Sequence, residues 1–127
     1  MANDPKHVLV VEDEPNIAEP LAFLLEKVGY TVTIRSDGRQ GLKAALEQMP
    51  DLILLDVMLP ELDGFEVLRR LREDPRGKRI PVVILTARGQ RGDRDAALDG
   101  GADMFIPKPF SNKDVVSGVR QLLGEQV

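Results

Sequence analysis

Six polar residues in this chain stand directly after short apolar runs, and their types suit the transfer of a phosphoryl group. They are three consecutive carboxylates near the N-terminus and three single residues further along: Glu12, Asp13, Glu14, Asp56, Thr86 and Lys108. Carboxylates, together with a backbone carbonyl and water, are the ligands that Mg²⁺ prefers. A carboxylate nucleophile, a divalent cation, a lysine and a hydroxyl are equipped for phosphoryl transfer, because positioning and charge neutralisation do most of that chemistry. This chemistry requires a fold that brings the residues to one place.

The sequence alternates between segments typical of strands and segments typical of helices. Short apolar runs predict five strands, at residues 7–11, 31–35, 51–56, 80–87 and 102–106. Apolar residues at helical spacing predict a helix after each strand, at residues 15–28, 38–49, 64–74, 91–99 and 112–123. Gly29 is expected to end the first helix as its C-cap, and Pro75 to stop the third. The pattern predicts an α/β protein of the (βα)5 type.

The five predicted strands are expected to form one parallel sheet. Strands that are separated by helical crossovers lie parallel, with right-handed connections and with helices on both faces of the sheet. We therefore predict a doubly wound, flavodoxin-like sheet of five strands in the common order 2-1-3-4-5. In such a sheet, sites lie beyond the carboxyl ends of the strands, where the strand order reverses. All six polar residues stand at such ends.

The predicted strand order makes Asp56 face the N-terminal carboxylates. The first and third strands are neighbours in this order, so Asp56 would lie across a crevice from Glu12 and Asp13, and Lys108 would approach from the other side. An acidic cluster of this kind is electrostatically unfavourable unless a hard cation occupies it. The sequence therefore predicts a Mg²⁺ site with Asp56 as the carboxylate nucleophile.

Length and composition exclude several classes of protein. The 127 residues suffice for one domain, which we expect to span residues 1–127. There is no apolar run of the ~20 residues that a membrane span needs, and the N-terminus lacks the pattern of a secretion signal, so a cytoplasmic location is expected. The chain has no cysteine and one histidine, which excludes thiolate and paired-histidine metal sites. A net charge of -4 argues against direct nucleic-acid binding by this chain.

Four motifs together resemble one family. The segments VVEDE, LILLDVMLPELDG, LTA and FIPKPF carry the acidic pair, the aspartate, the threonine and the lysine in the order, and on the elements, of the receiver domain of two-component response regulators. The resemblance covers essentially the whole chain. It implies a signalling switch that catalyses its own phosphorylation on Asp56, from phosphohistidine or acetyl phosphate, and its own slow dephosphorylation. The implied partner is a sensor histidine kinase or a phosphotransfer protein.

The resemblance also implies roles for individual residues. Four groups would arrange Mg²⁺: Glu12, Asp13, Asp56 and the backbone carbonyl of Met58. Glu12, where aspartate is commoner, would reach the ion through water. Three groups would bind the phosphoryl oxygens: Lys108, the Thr86 hydroxyl and the Ala87 amide. Thr86 and Phe105 would form the switch, the aromatic ring moving inward when the hydroxyl turns to the phosphoryl group and changing the surface formed by the fourth helix, fifth strand and fifth helix. The Lys108–Pro109 bond is expected to be cis.

Two further expectations concern the phosphorylated protein. Met58 and Arg88 stand two positions after the phosphoacceptor and the threonine, where side chains admit or block the hydrolytic water, and neither is a good base. Methionine with arginine resembles the transcription-regulating receivers, which implies slow self-dephosphorylation. A homodimer through the face from the fourth to the fifth helix is also expected from Asp103 and Arg120. Two other positions of that face carry no charge where charges are usual in the subfamily with winged-helix effectors: Met104 and Gly118.

Particular residues argue against other functions on the same fold. The carboxylates at 12–14 would repel the phosphate of a flavin mononucleotide, so a flavodoxin is excluded. A phosphatase with an aspartyl nucleophile would usually place a second aspartate where Met58 stands. Neither a P-loop nor a Gly-x-Gly-x-x-Gly segment is present, so nucleotide binding has no support. A receiver-like scaffold for protein interaction, with phosphorylation secondary, remains open. Singly, each polar residue also has a structural interpretation, such as the preference of carboxylates for a helix N-terminus.

Overall fold

Five strands alternate with five helices in a computed structural model, which describes residues 5–86 and 91–124. The strands are β1 (His7–Val11), β2 (Thr31–Arg35), β3 (Leu52–Asp56), β4 (Val82–Thr86) and β5 (Met104–Pro107). The helices are α1 (Pro15–Val28), α2 (Gly38–Gln48), α3 (Gly64–Glu73), α4 (Arg91–Asp99) and α5 (Asn112–Leu122). Every predicted element is confirmed, and its ends lie close to the predicted ones. Gly29 caps α1 in the left-handed conformation, with a φ of 116°.

The strands form one parallel sheet in the order β2-β1-β3-β4-β5, so the predicted fold is confirmed. The pairing places Val11 beside Leu55, and Asp56 beside Leu85. Strands β3 and β4 are buried along their whole length. They are rich in leucine, isoleucine and valine, as expected for central parallel strands that are covered on both faces.

Each face of the sheet has its own apolar core. Helices α2, α3 and α4 cover one face, through residues that include Ala44, Leu68, Leu71 and Ala97. Helices α1 and α5 cover the other, through residues that include Leu21, Leu25, Val115 and Val119. Because both faces are covered, polar side chains can meet at the two edges where the strands begin and end. In the described parts of the chain, no helix combines the length and the apolar composition needed to cross a membrane.

The start of α2 packs directly against the loop between β3 and α3. The amide of Gly38 donates a hydrogen bond to the carbonyl of Pro60 at 3.2 Å. A Cβ atom on Gly38 would overlap the carbonyl oxygen of Leu62. A Cβ atom on Gly64, at the start of α3, would overlap the carbonyl oxygen of Asp56. Two glycines therefore let α2 and α3 approach the backbone that follows β3.

At the opposite edge of the sheet, Arg72 joins two loops. Its guanidinium donates to three carbonyl oxygens, at distances of 2.8 to 2.9 Å: those of Gly77, Ile80 and Gly101. It also donates to Asp103 at 3.1 Å, and the same carboxylate oxygen accepts the amide of Val82 at 2.9 Å. The amino end of β4 is thereby tied to the α3–β4 and α4–β5 loops.

The engagement of Asp103 bears on the expected homodimer. This carboxylate is paired within the chain, with Arg72 and the Val82 amide. Gly118 lies under Met104, since a Cβ on Gly118 would lie 2.7 Å from the sulfur of Met104. The two uncharged positions of that face thus contact each other within one chain. The dimer stays a prediction.

Candidate functional site

The carboxyl ends of β1, β3, β4 and β5 bring the predicted site residues together. One carboxylate oxygen from each of Glu12, Asp13 and Asp56 lies within 4.8 Å of the other two. The ammonium of Lys108 lies 2.6 Å from Glu12 and 3.4 Å from Asp56. The Lys108 amide donates to the carbonyl of Thr86 at 2.7 Å, which places the lysine beside the end of β4. The Lys108–Pro109 peptide bond is cis, as the resemblance implies.

The acidic cluster fits a hard divalent cation. Three carboxylates converge, and the side chains of Glu12 and Asp56 are 0% and 6% exposed. Among the residues that the structure describes, Lys108 is the one basic side chain within ion-pair distance of either. Three carboxylates facing one ammonium leave the cluster with a net negative charge. Oxygen ligands with such an excess of negative charge are suited to Mg²⁺. Glu12, Asp13 and Asp56 could therefore hold the ion.

Asp56 is held at both of its oxygens. Its Oδ1 accepts a hydrogen bond from the Met58 amide at 3.2 Å, and its Oδ2 faces Lys108. The amide of Val57, which lies between Asp56 and Met58 in the chain, donates to the carbonyl of Leu85 on the neighbouring strand. These bonds hold the carboxylate of Asp56 in one orientation at the carboxyl edge of the sheet. Met58 itself is 57% exposed and stands beside the carboxylate.

Thr86 and Phe105 lie on the neighbouring strands β4 and β5 and face the same side of the sheet. Thr86 is buried at the end of β4, and Phe105 is half-buried on the neighbouring β5. Phe105 pairs with Ile84, and both pack in the core under α2, α3 and α4. Since side chains alternate along a strand, Thr86 points to the same face as Ile84. Ala87 and Arg88, the other two residues expected at this edge, lie outside the described residues.

Burial and neighbouring charges shift two pKa values in the site. Burial raises the pKa of Glu12 from 4.5 to about 7; the hydrogen bond from Lys108 opposes this rise, and the charge of Asp56 adds to it. Burial alone would lower the pKa of Lys108, but the hydrogen bond to Glu12 and the charge of Asp56 outweigh it and raise the pKa. Lys108 is therefore cationic at neutral pH.

The raised pKa of Glu12 predicts a pH-dependent stability when divalent cations are removed. The folded chain keeps the Glu12 proton up to about pH 7, whereas the unfolded chain loses it near pH 4.5. Because the folded chain binds more protons in this window, the contribution of Glu12 to stability is full below pH 4.5 and is lost as the pH rises through 7. In Glu12→Gln this fall should disappear. Urea unfolding in a chelator, at both ends of the window, measures it; equal pH dependence in parent and variant would contradict the assignment.

Sequence reasoning missed two features of the site. It predicted that Glu12 reaches the metal through water, and it did not predict the direct contact between Glu12 and Lys108. It also missed Gly38, whose lack of a side chain admits the loop after β3. The sequence did carry a signal for Gly38. Helices α2 and α3 both begin with an aspartate N-cap followed by glycine, at Asp37–Gly38 and Asp63–Gly64. Glycine is a poor helix former, so its presence at both helix starts indicates a close contact there.

A family model for the response regulator receiver domain matches residues 8–120. Among curated proteins, the chain is 44% identical over 116 residues to the DNA-binding dual master transcriptional regulator RpaA of Synechocystis, covering 91% of this chain and 48% of that protein. It is 44% identical over 118 residues to the alkaline phosphatase synthesis transcriptional regulatory protein PhoP of Bacillus subtilis, covering 93% and 48%. The chain spans about half the length of the curated relatives it matches.

Two solved structures share this fold at sequence identities of 34% and 27%. The receiver domain of the sensor histidine kinase PA1611 of Pseudomonas aeruginosa, with magnesium coordinated in its active site cleft, is 34% identical and superposes with a TM-score of 0.88 over 96% of this chain and 100% of that one. The chemotaxis response regulator CheY4 of Vibrio cholerae is 27% identical, with a TM-score of 0.88 over 94% and 99%. The first of these neighbours holds magnesium in its own cleft, which agrees with the kind of ion that the acidic cluster fits.

Proposed function

Since this chain belongs to the receiver domains of two-component response regulators, we propose that Asp56 is the carboxylate that accepts the phosphoryl group. The observation that carries this proposal is the placement of Asp56, a buried carboxylate at the end of β3, beside the carboxylates of Glu12 and Asp13 and 3.4 Å from the ammonium of Lys108. We further propose that residues 1–127 form a single receiver domain, that it acts in the cytoplasm, and that its donor is the phosphohistidine of a sensor kinase or a phosphotransfer protein.

The proposed transfer has one bond forming and one breaking. A carboxylate oxygen of Asp56 attacks phosphorus, and the bond from phosphorus to the donor nitrogen breaks, its electron pair remaining on the imidazole. Lys108 then pairs with the phosphoryl oxygens, and the Thr86 hydroxyl and Ala87 amide donate to them. Mg²⁺, held by Glu12, Asp13, Asp56 and the carbonyl of Met58, would supply neutralisation of the negative charge that gathers there. Turning of Thr86 would draw Phe105 inward and change the surface of α4, β5 and α5.

Replacement of Asp13 by alanine tests the metal half of the proposal. Asp13 is exposed, so we expect the variant to keep its fold, and loss of one of three crowded carboxylates should leave metal-free stability level or raised. Binding of Mg²⁺ by calorimetry, and labelling by acetyl phosphate with Mg²⁺, should both be lost. Glu14→Ala, one residue further on and outside the cluster, is the matched control and should retain both. Undiminished labelling of Asp13→Ala would overturn the metal assignment.

The lifetime of the phosphorylated state depends in this proposal on Met58 and Arg88. A flexible apolar side chain can cover the phosphoryl group, and a guanidinium can pair with its oxygens, so neither activates water. We expect the parent to lose its phosphoryl group over many minutes or longer once the donor is removed. The Met58→Asn, Arg88→Glu double variant should lose it faster. Loss within seconds from the parent, or no acceleration in the double variant, would show that the shielding idea is wrong.

The relatives of this chain point to the control of transcription as the output of the switch. Two of them are named as transcriptional regulators, and we propose that this chain controls an output of that class without itself contacting nucleic acid. A homodimer through α4, β5 and α5 belongs to the same proposal. Sedimentation with and without beryllofluoride, a mimic of the phosphoryl group, should show a mass increase on activation. A monomer under both conditions at high concentration would remove the dimer.

A further inference from the structure

The buried carboxylate of Glu12 is engaged at both of its oxygens. One accepts from the Lys108 ammonium at 2.6 Å, and the other accepts from the amide of Glu14 at 3.2 Å. The same ammonium lies 3.4 Å from Asp56, at the limit of a hydrogen bond. Glu12 is therefore the principal anion of Lys108, and the nucleophile is its secondary one.

This division of contacts has a chemical consequence at Asp56. A carboxylate that forms a short charge-assisted hydrogen bond to an ammonium has a stabilised lone pair, which must be released before that oxygen can attack phosphorus. Glu12 competes for the ammonium and holds it 0.8 Å further from Asp56 than from itself. At this distance Lys108 still lies beside the place where a phosphoryl group on Asp56 would develop its charge.

We propose that Glu12 is a positioning residue that holds Lys108 off the nucleophile until the phosphoryl group arrives. The inference rests on the proposed function of Asp56. In the transfer step Lys108 keeps all its protons and exchanges one hydrogen-bond acceptor, a Glu12 oxygen, for a phosphoryl oxygen. The bond made is from an Asp56 oxygen to phosphorus, and the bond broken is from phosphorus to the donor.

A double-mutant cycle separates this role from a contribution of Glu12 to metal binding. The cycle uses the parent, Glu12→Gln, Lys108→Ala and the double variant, labelled by acetyl phosphate over a range of Mg²⁺ concentrations. Loss of the competing anion lets Lys108 pair with Asp56, and the cost of one charge-assisted hydrogen bond corresponds to about a tenfold slower labelling rate. We expect this slowing to persist at saturating Mg²⁺. In the Lys108→Ala background, Glu12→Gln should change the rate by less than about twofold, because Glu12 acts through the lysine.

Two results would overturn the proposal. One is full recovery of the Glu12→Gln rate at saturating Mg²⁺, which would make Glu12 a metal residue only. The other is equal slowing with and without Lys108. Glu19→Gln, the same substitution on the exposed side of α1, is the matched control and should label like the parent.

A second readout needs no donor and no metal. Urea unfolding of the same four proteins in a chelator, at a pH above 7 where Glu12 is ionised, measures whether Glu12 and Lys108 interact in the resting protein. We expect the double variant to be less destabilised than the sum of the single variants; additive effects would remove the contact on which the proposal depends. If the parent is not labelled at all, the proposed function of Asp56 fails, whereas a labelled parent with additive unfolding overturns only the role of Glu12.

Discussion

Asp56→Asn should take up no phosphoryl group from acetyl phosphate or phosphoramidate in the presence of Mg²⁺, whereas the parent takes up one. Asparagine keeps the size of the side chain and can still accept from the Met58 amide, so the fold and the loop after β3 should be retained. What is lost is a carboxylate lone pair able to attack phosphorus. Intact-protein mass spectrometry measures the uptake, and phosphoramidate tests a donor with a phosphorus–nitrogen bond.

The chemistry of the label is the control for this experiment. An acyl phosphate on Asp56 is cleaved by base and by hydroxylamine, whereas a phosphate ester on a hydroxyl side chain resists hydroxylamine. Asp63→Asn is a matched variant, since Asp63 is an exposed N-cap of α3 and lies in the same loop region. It should remain labelled. A phosphoryl group of unchanged stoichiometry on Asp56→Asn would falsify the assignment of the acceptor.

Gly38→Ala should be the most damaging single-methyl substitution in the chain's site region. The added Cβ overlaps a backbone carbonyl, that of Leu62, and a backbone cannot give way as the end of a flexible side chain does. Either α2 or the loop after β3 must move, and overpacking of this kind typically lowers the free energy of unfolding by about 1–3 kcal/mol. The better helix propensity of alanine offsets part of this cost.

The same substitution should also slow labelling, because the displaced loop carries Met58 and follows Asp56. Urea unfolding and the labelling rate are the two measurements. Arg39→Ala, one residue further along α2, is the control: its ion pair with Glu61 is 3.7 Å long and exposed, so its loss should change stability by at most about 0.5 kcal/mol. If Gly38→Ala is as stable and as readily labelled as Arg39→Ala, the close approach of α2 to the loop has no functional weight.

The fold was predictable from the sequence because its signals are local and repeated. Apolar runs such as residues 52–55 suit strands that are buried on both faces, and helical spacing such as Val115 and Val119 suits helices that cover one face. Strand order then followed from the rules for parallel crossovers. The element ends were less predictable. Residues 80 and 81 are apolar enough to read as strand, yet the ladder begins at Val82, where the Asp103 carboxylate takes the amide.

The site was predictable in its members and less so in its contacts. The order of the strand ends places Glu12, Asp13, Asp56 and Lys108 at one edge, whatever their side chains do. The partner that Lys108 selects depends on side-chain reach: Glu12 is one methylene longer than aspartate and lies 2.6 Å from the ammonium. Differences of that size have no expression in spacing or periodicity. The same holds for Arg72, which reads as a surface residue of α3 but reaches carbonyls in two loops.

The Arg72 cluster gives the sheet two mechanically different ends. A guanidinium stays charged at every pH that a cell meets and presents five donors in a rigid plane, so its grip on the α3–β4 and α4–β5 loops does not vary with protonation or with metal. At the carboxyl end, by contrast, the proposed phosphorylation of Asp56 would change the charge that faces Lys108 each time a signal arrives. The amino ends of β4 and β5 are thus joined by contacts of Arg72 that do not change, whereas the contacts of Lys108 at their carboxyl ends would change with phosphorylation. A movement that begins at Thr86 would therefore be smallest at the amino edge of the sheet and largest on the solvent-exposed side of α4.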